Sequence, residues 1–398
     1  MSQGFGRSRH LSRQETVEAL PTLKEERLRG GTRYVDGQFD DARLAITLAR
    51  TAADLGATLI NYMAVAAITK QNGRVSGVVA RDSESNREYE LKARVVINAT
   101  GIFTDFVRRL DESSAPDLIG PSQGAHIVLP RRFLPGNAAL MVPKTDDKRV
   151  LFAIPWHDRV LIGTTDTAVK EVIADPAPLG SEIEFLLAHA ARYLTVAPRA
   201  SDILSTFAGL RPLTKPARAS STALVPRDHS IQVSKSGLVT VTGGKWTTYR
   251  KMAEDTLDRA LEVSGLDRRP CRTQELPLHG CSDQPGDSLS AYGSDASEIR
   301  ALAKQKADWG KLLHPDLPYI AAEVIWAARM EMARTVEDVL ARRTRALFLD
   351  ARASLDAAPL VGSLMAQELG RDSAWIEQQV AKYQQVVRKC LPSNGRVA

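Results

Sequence analysis

The stretch TVTGGKWTTYRKMAEDTLDRAL, Thr240–Leu261, decides how this chain is read. A β-branched run ends in Gly243–Gly244, and within a few residues the pattern turns helical, predicting a helix from Thr247 to about Val263. Paired glycines let a backbone approach a ligand closely, and the free N–H groups of a helix start favour an anion or a polarised carbonyl. Lys245, Thr247 and Thr248 add a cation and two hydroxyls at that start. Read alone, the segment is equally a tight turn with Lys245 in solvent. A strand feeding a helix through glycines nevertheless points to an α/β fold.

Working outward, the stretch before it is mainly β. HIVLP, ALMVP, RVLFAIPW, RVLIGTTD, DILSTFAGL and SIQVS are short strands between Pro, Gly or charged turns, and one helix is expected at Ser181–Leu194 with Ser181 and Glu184 as a capping box. Further upstream, Asp40–Asp41 offers N-caps for a helix whose apolar stripe is Leu44, Leu48, Ala52 and Leu55, stopped by Gly56. A meander follows: TLINYMAVAAITK, the Asn72–Gly73 hairpin turn, VSGVVARD, a turn at Ser83–Asn86 and REYELKA. ARVVINATG then reads as a buried strand closing on Ala99, Thr100 and Gly101, where a cofactor could lie over the strand end. Downstream, residues 271–294 are rich in Ser, Asp, Gly and Pro and read as a linker. The remainder is helical with an apolar stripe.

The 398 residues suit two or three domains, and 43% hydrophobic with 25% charged residues excludes a disordered or collagen-like chain. The 53 basic and 47 acidic residues interleave, which speaks against nucleic-acid binding. Apolar runs such as Leu151–Trp156 are far short of a membrane span, and MSQGFGRSRH has no secretory leader pattern. Three cysteines, Cys271, Cys281 and Cys390, fit a reducing compartment, so the expectation is a cytoplasmic protein. No metal-ligand spacing occurs, and no metal is expected.

Three further segments carry candidate chemistry. TFAGLRPL delivers Arg211, whose guanidinium could hold a phosphate or carboxylate bidentately. LIGTTDT crowds Thr164, Thr165 and Asp166 after Gly163, and GAHIVLP places His126, a candidate general base, two residues after a glycine. Each has an ordinary structural reading: a surface arginine, a capped turn, a strand histidine.

Together the pieces resemble the FAD-dependent, quinone-linked glycerol-3-phosphate dehydrogenases of the D-amino-acid-oxidase-like flavoprotein superfamily. Seven stretches stand in the family's order: YVDGQFDDARLAITLARTAADLGA, RVVINATG, GAHIVLP, LFAIPWHDRVLIGTTDT, FAGLRPL, PRDHSI and VTGGKWTTYRKMAED. The resemblance implies an α/β FAD domain of the glutathione-reductase type, a β-rich α+β substrate domain and an all-α C-terminal domain. The boundaries it suggests are a lead-in at 1–30, the FAD domain at 31–120 with 238–265, the substrate domain at 121–237, a linker at 266–294 and the helical domain at 295–398. It implies oxidation of sn-glycerol 3-phosphate to dihydroxyacetone phosphate, with electrons passed through FAD to quinone. His126, Arg211 and Lys245 would be catalytic, and Arg211, Lys245, Asp166 and Thr165 would bind substrate. Ala99, Thr100, Gly101, Gly243, Gly244, Lys245, Thr247 and Thr248 would lie at the cofactor. A homodimer and peripheral contact with the inner membrane face, the latter through the C-terminal VAKYQQVVRKCL, are compatible with it.

The family's opening strand–GxGxxG–helix fingerprint is not found in the sequence. Gly4-Phe-Gly6 continues as Arg-Ser-Arg, and the chain is expected to start about a third of the way into the FAD domain. The alternatives are another amine or 2-hydroxy-acid oxidase of the superfamily, or a non-catalytic half that needs a complementary FAD-binding chain.

Overall fold

The computed structural model describes residues 6–143, 145–146, 149–215, 229–282 and 287–392. Gly4, Phe5, Pro226–Asp228 and residues 283–286 of the segments read above lie outside the described residues.

The long strand Ile119–Pro130 organises the central sheet. Strand Ser205–Thr214 pairs antiparallel with one edge of it, and Thr167–Ala168 and Arg159–Gly163 pair with the other. Leu151–Trp156 and Leu140–Val142 continue the sheet. Successive side chains of a strand point to opposite faces. Ala125, Ile127 and Leu129 therefore share one face with their neighbours Val160 and Ile162, and all five are fully buried. Helix Gly180–Tyr193 covers that face with Ile183, Leu186 and Ala190. His126 and Gly124 are left on the other face.

Around this sheet the structure departs from the sequence reading in several places. Helix Gly180–Tyr193 is not capped by Ser181: the Glu182 carboxylate accepts from the Leu179 N–H at 2.9 Å. The opening residues, expected as a loosely packed lead-in, form strand Arg9–Ser12, paired with Gly30–Arg33, and helix Arg13–Ala19. Ser12 and Glu15 make a reciprocal capping box there, and Leu20 and Leu23 join the central core. Their apolar positions are too few and too close together to show a period, so the tertiary contact carries the segment.

A second sheet joins Ile97–Asn98, parallel, to Val239–Gly243, which pairs antiparallel with His229–Val233. The meander appears as Met63–Gln71, Arg74–Asp82 and Glu88–Lys92, with Asn72 and Gly73 both at positive φ as its hairpin requires. ARVVINATG, expected as a buried strand, is strand only at Ile97–Asn98. Ile97 is 38% exposed, and no described strand pairs with its far edge. Helix Asp41–Asp54 starts on the expected cap, since Asp40 Oδ1 accepts from the Arg43 N–H at 3.0 Å. The expected stripe is only partly covered: Leu44, Leu48 and Ala52 are half-buried and Leu55 is 67% exposed, whereas the buried residues are Arg43 and Thr51.

The C-terminal helices Ala296–Ala303, Ala321–Met330, Ala351–Leu369 and Ser373–Lys389 enclose their own core around Ile325, Trp326 and Met365. Tyr383, Val387, Cys390 and Leu391 are buried in it, so the apolar face of the last helix is committed to the core and not to a lipid surface. Among the described residues no helix is long and apolar enough to cross a membrane. The 271–294 segment is docked where described. The His279 N–H donates to Thr51 Oγ1 at 2.8 Å, and its ring lies between Asp54 at 2.6 Å and Asp295 at 2.9 Å.

Candidate active site

The polar face of the central sheet is cleared by glycines. Gly124 and Gly209 lie directly opposite each other on neighbouring strands, and Gly163 lies opposite His126. Glycine inside a strand marks a place where something approaches the backbone closely. Here two side chains do so. A Cβ on Gly163 would stand 2.5 Å from His126 Nε2, and one on Gly124 would stand 2.6 Å from Arg211 Cζ. Above Gly209 the space is open. His126 and Arg211 thus lean over a floor of bare backbone from its two ends.

His126 faces Phe207 across the strand pair and stacks on it, with centroids 5.1 Å apart and planes 13° from parallel. Its Nδ1 is buried and has no hydrogen-bond partner among the described residues. Burial first, and the Arg211 charge second, push the imidazole pKa down to about 4, so the ring is neutral at pH 7. A neutral imidazole can accept a proton.

Arg211 Nη2 donates to Thr164 Oγ1 and to the Thr165 carbonyl, both at 3.1 Å, and Nη1 lies 3.5 Å from Asp166 Oδ1. Asp166 also bonds Ser122 Oγ and lies 3.9 Å from Arg149 Nη2. The Thr165 hydroxyl is engaged on both sides, donating to Glu182 at 2.7 Å and accepting from the Ala125 N–H at 2.9 Å. Glu182 is the hub beneath this loop. It accepts from Thr165 and Thr167 at 2.7 Å, from Gln123 Nε2 at 2.7 Å and from the Leu179 N–H. Burial raises its pKa, but these four donors outweigh that and hold it below the usual carboxylate range.

The glycine-turn residues form a second group. Gly243 and Gly244 have φ of 73° and 72°, a left-handed conformation that favours glycine. Trp246–Thr248 is a 3₁₀ turn leading into helix Tyr249–Ser264, so the helix proper begins two residues after the expected Thr247. Thr248 Oγ1 accepts from the Lys245 N–H at 3.2 Å and donates to the Lys245 carbonyl at 3.0 Å. Lys245 and Thr247 are exposed, and among the described residues Lys245 makes no ion pair. Across the parallel strand pair, Ala99 and Thr100 are exposed, the Thr100 hydroxyl donates to Asn98 Oδ1 at 2.7 Å, and Gly101 has φ of 57° with open space at its Cβ position.

The structure therefore brings His126, Thr165, Asp166 and Arg211 into one cluster and leaves Lys245 outside its hydrogen bonds. The two groups adjoin, because strand Ser205–Thr214 packs against both Val239–Gly243 and the Gly101–Phe103 turn. Ser122, Gln123, Glu182 and Phe207 escaped the sequence reading. The alternation of GPSQGAHIVLP, which puts Ser122 and Gly124 on the face of His126, was the signal that could have found Ser122. A cavity of about 540 Å³ lined by Arg43, Arg50 and His279 lies apart from this cluster.

Comparison with known proteins agrees with the architecture. The FAD dependent oxidoreductase family matches residues 1–250, and the C-terminal domain of alpha-glycerophosphate oxidase matches residues 283–376. The probable mitochondrial glycerol-3-phosphate dehydrogenase of Caenorhabditis elegans is 38% identical over 97% of this chain and 57% of its own length. The human mitochondrial glycerol-3-phosphate dehydrogenase is 38% identical over 93% of this chain and 55% of its own. The chain thus spans about half the length of these relatives. The glycerol-3-phosphate dehydrogenase of Bacillus halodurans, solved with FAD, superposes with a TM-score of 0.85 at 28% identity, covering 96% of this chain and 80% of that one.

Proposed function

This chain belongs to the FAD dependent oxidoreductase family, and from that premise we propose that it oxidises sn-glycerol 3-phosphate to dihydroxyacetone phosphate with FAD as its cofactor. In this reading residues 31–120 with 238–265 hold the flavin, 121–237 the substrate, and 295–398 form a helical cap joined through 266–294. One observation carries it: a guanidinium and a neutral imidazole lean from opposite ends over a glycine floor.

The residues present fit the flavin end of FAD. Gly101, Gly243 and Gly244 give close backbone approach, and the two strand ends are parallel, as in folds that bind ligands beyond the carboxyl ends of their strands. Gly101, Gly243, Gly244, Thr247 and Thr248 would border the ring, with Ala99 and Thr100 beside them. When bound, the flavin supplies the hydride acceptor for the alcohol carbon. Arg211 binds the phosphate dianion, and Lys245 closes on it from the glycine turn. Asp166, itself bonded by Ser122, holds the guanidinium in place. His126 accepts the hydroxyl proton, its basic form secured by burial and by Arg211. Quinone is the onward electron acceptor, which calls for peripheral contact with the membrane from the cytoplasmic side. A dimer is compatible with this reading.

The test is anaerobic. The FAD-loaded chain is expected to be yellow and to bleach with glycerol 3-phosphate, but not with glycine or lactate. Bleaching by an amine or 2-hydroxy acid instead would overturn the substrate assignment.

A second reading rests on the open edge of Ile97–Asn98, beside which Phe103 and Phe106 are 39% and 58% exposed. Unpaired edges and bare aromatic side chains invite a partner strand. A colourless chain that gains flavin only with a second polypeptide would support a half-enzyme and refute the self-sufficient one.

A further inference from the structure

His126 is held by a column of rings that begins in the C-terminal unit. Phe207 stacks on the imidazole, and Phe348 meets Phe207 edge-on at 4.9 Å and 60°. The Arg345 guanidinium lies 4.8 Å above the Phe348 ring and 5.6 Å above that of Trp156. Arg345 is fixed in turn by Asp40 at 4.0 Å and Asp41 at 3.5 Å. Backbone bonds seat this unit on the start of the strand that carries Phe207: Thr206 N–H to the Cys390 carbonyl at 2.7 Å, and Ala351 N–H to the carbonyl of Leu204, the residue before the strand, at 3.1 Å. An edge-to-face pair fixes ring orientation as well as burying area. Arg211, on the strand of Phe207, is the charge that acts on His126, and Arg345 lies behind Phe348.

We infer that Phe348, in the C-terminal helical unit, is a positioning residue of the active site: through Phe207 it fixes the His126 ring over Gly163 and shields it from water. The inference rests on the functional reading only in calling His126 the base. It gives the helical unit a part in the chemistry, since a shift of that unit changes how far His126 is desolvated.

The experiment follows the His126 ring resonances of the isotope-labelled chain by NMR from pH 8 to pH 3, with His126→Gln for assignment. Phe348→Ala should raise the midpoint by about one unit toward the ordinary histidine value, because water reaches the ring. Phe207→Ala should raise it at least as far, and Phe348→Tyr should return it to the wild-type value. A Phe348→Ala protein that melts earlier yet titrates like wild type would overturn the inference, since a merely structural role moves melting alone. If Phe348→Ala does not fold, Phe348→Val, which removes the ring cover with a smaller loss of volume, is read by the same criterion. The titration needs no flavin, so a chain that fails to oxidise glycerol 3-phosphate refutes the functional reading and leaves this result standing.

Discussion

Replacing Gly163 by alanine perturbs the site through one contact. The new Cβ would meet His126 Cδ2 first and stand 2.5 Å from Nε2 and 2.8 Å from Cγ, whereas ordinary contact begins at 3.4 Å, so the ring must retreat by more than about 1 Å. Overpacking of this kind costs about 1–3 kcal/mol. The disturbed stack on Phe207 adds about 0.5–1.5 kcal/mol. The φ of Gly163 lies outside the left-handed region, so alanine is allowed there and returns about 0.4–1 kcal/mol by stiffening the unfolded chain. The net expectation is a loss of about 1–3 kcal/mol in urea unfolding at pH 7. In a His126→Ala background the clash is gone, and the same substitution should be neutral or slightly stabilising. The double-mutant cycle therefore isolates the coupling. An equal cost in both backgrounds would refute the claim that Gly163 exists to seat the imidazole.

Three other outcomes follow from the same geometry. Gly124→Ala pushes on the flexible end of Arg211, so stability should change by less than about 1 kcal/mol, while flavin reduction by glycerol 3-phosphate, read by stopped flow, falls at least about tenfold. Glu182→Gln should lose about 2–3 kcal/mol at pH 7. Because the Glu182 pKa is lowered on folding, its contribution is complete above the usual carboxylate value and fades as pH falls through the lowered one, so wild type and variant should converge in acid melts. Arg43→Met leaves the Glu331 carboxylate, 3% exposed and 2.9 Å from the lost guanidinium, buried without its cation. That should cost about 3–5 kcal/mol in chemical unfolding, and adding Glu331→Gln should recover most of it.

What the sequence made legible was local. The Asn72–Gly73 hairpin, the Asp40 cap and the strand GAHIVLP needed only turn chemistry and alternation, and all three stand in the structure. Arg211 and His126 were legible as residue types, but not the glycines that let them cross the sheet, since Gly124 meets Gly209 only through strand pairing 85 positions apart. Helix Asp41–Asp54 shows why periodicity misled. Its leucines look like a core stripe, yet its buried points are Arg43 on Glu331 and Thr51 on His279, contacts supplied from the far end of the chain. Ser181 and Glu184 make the better capping pattern in sequence, while the carboxylate that is bonded, Glu182, is set by Thr165 in a loop and by Thr167 and Gln123 on strands. The column from His126 to Phe348 depends on how the C-terminal unit docks, which no local pattern encodes.

Arg211 is proposed to serve the substrate and not the cofactor. Arg211→Ala in the FAD-loaded chain tests it, with flavin content and the rate of flavin reduction by glycerol 3-phosphate measured on the same sample. Flavin content should stay unchanged while the rate falls by about 10–100-fold, the loss of one charge-assisted contact to a phosphate. Equal loss of flavin and rate, or a rate left intact, would contradict it.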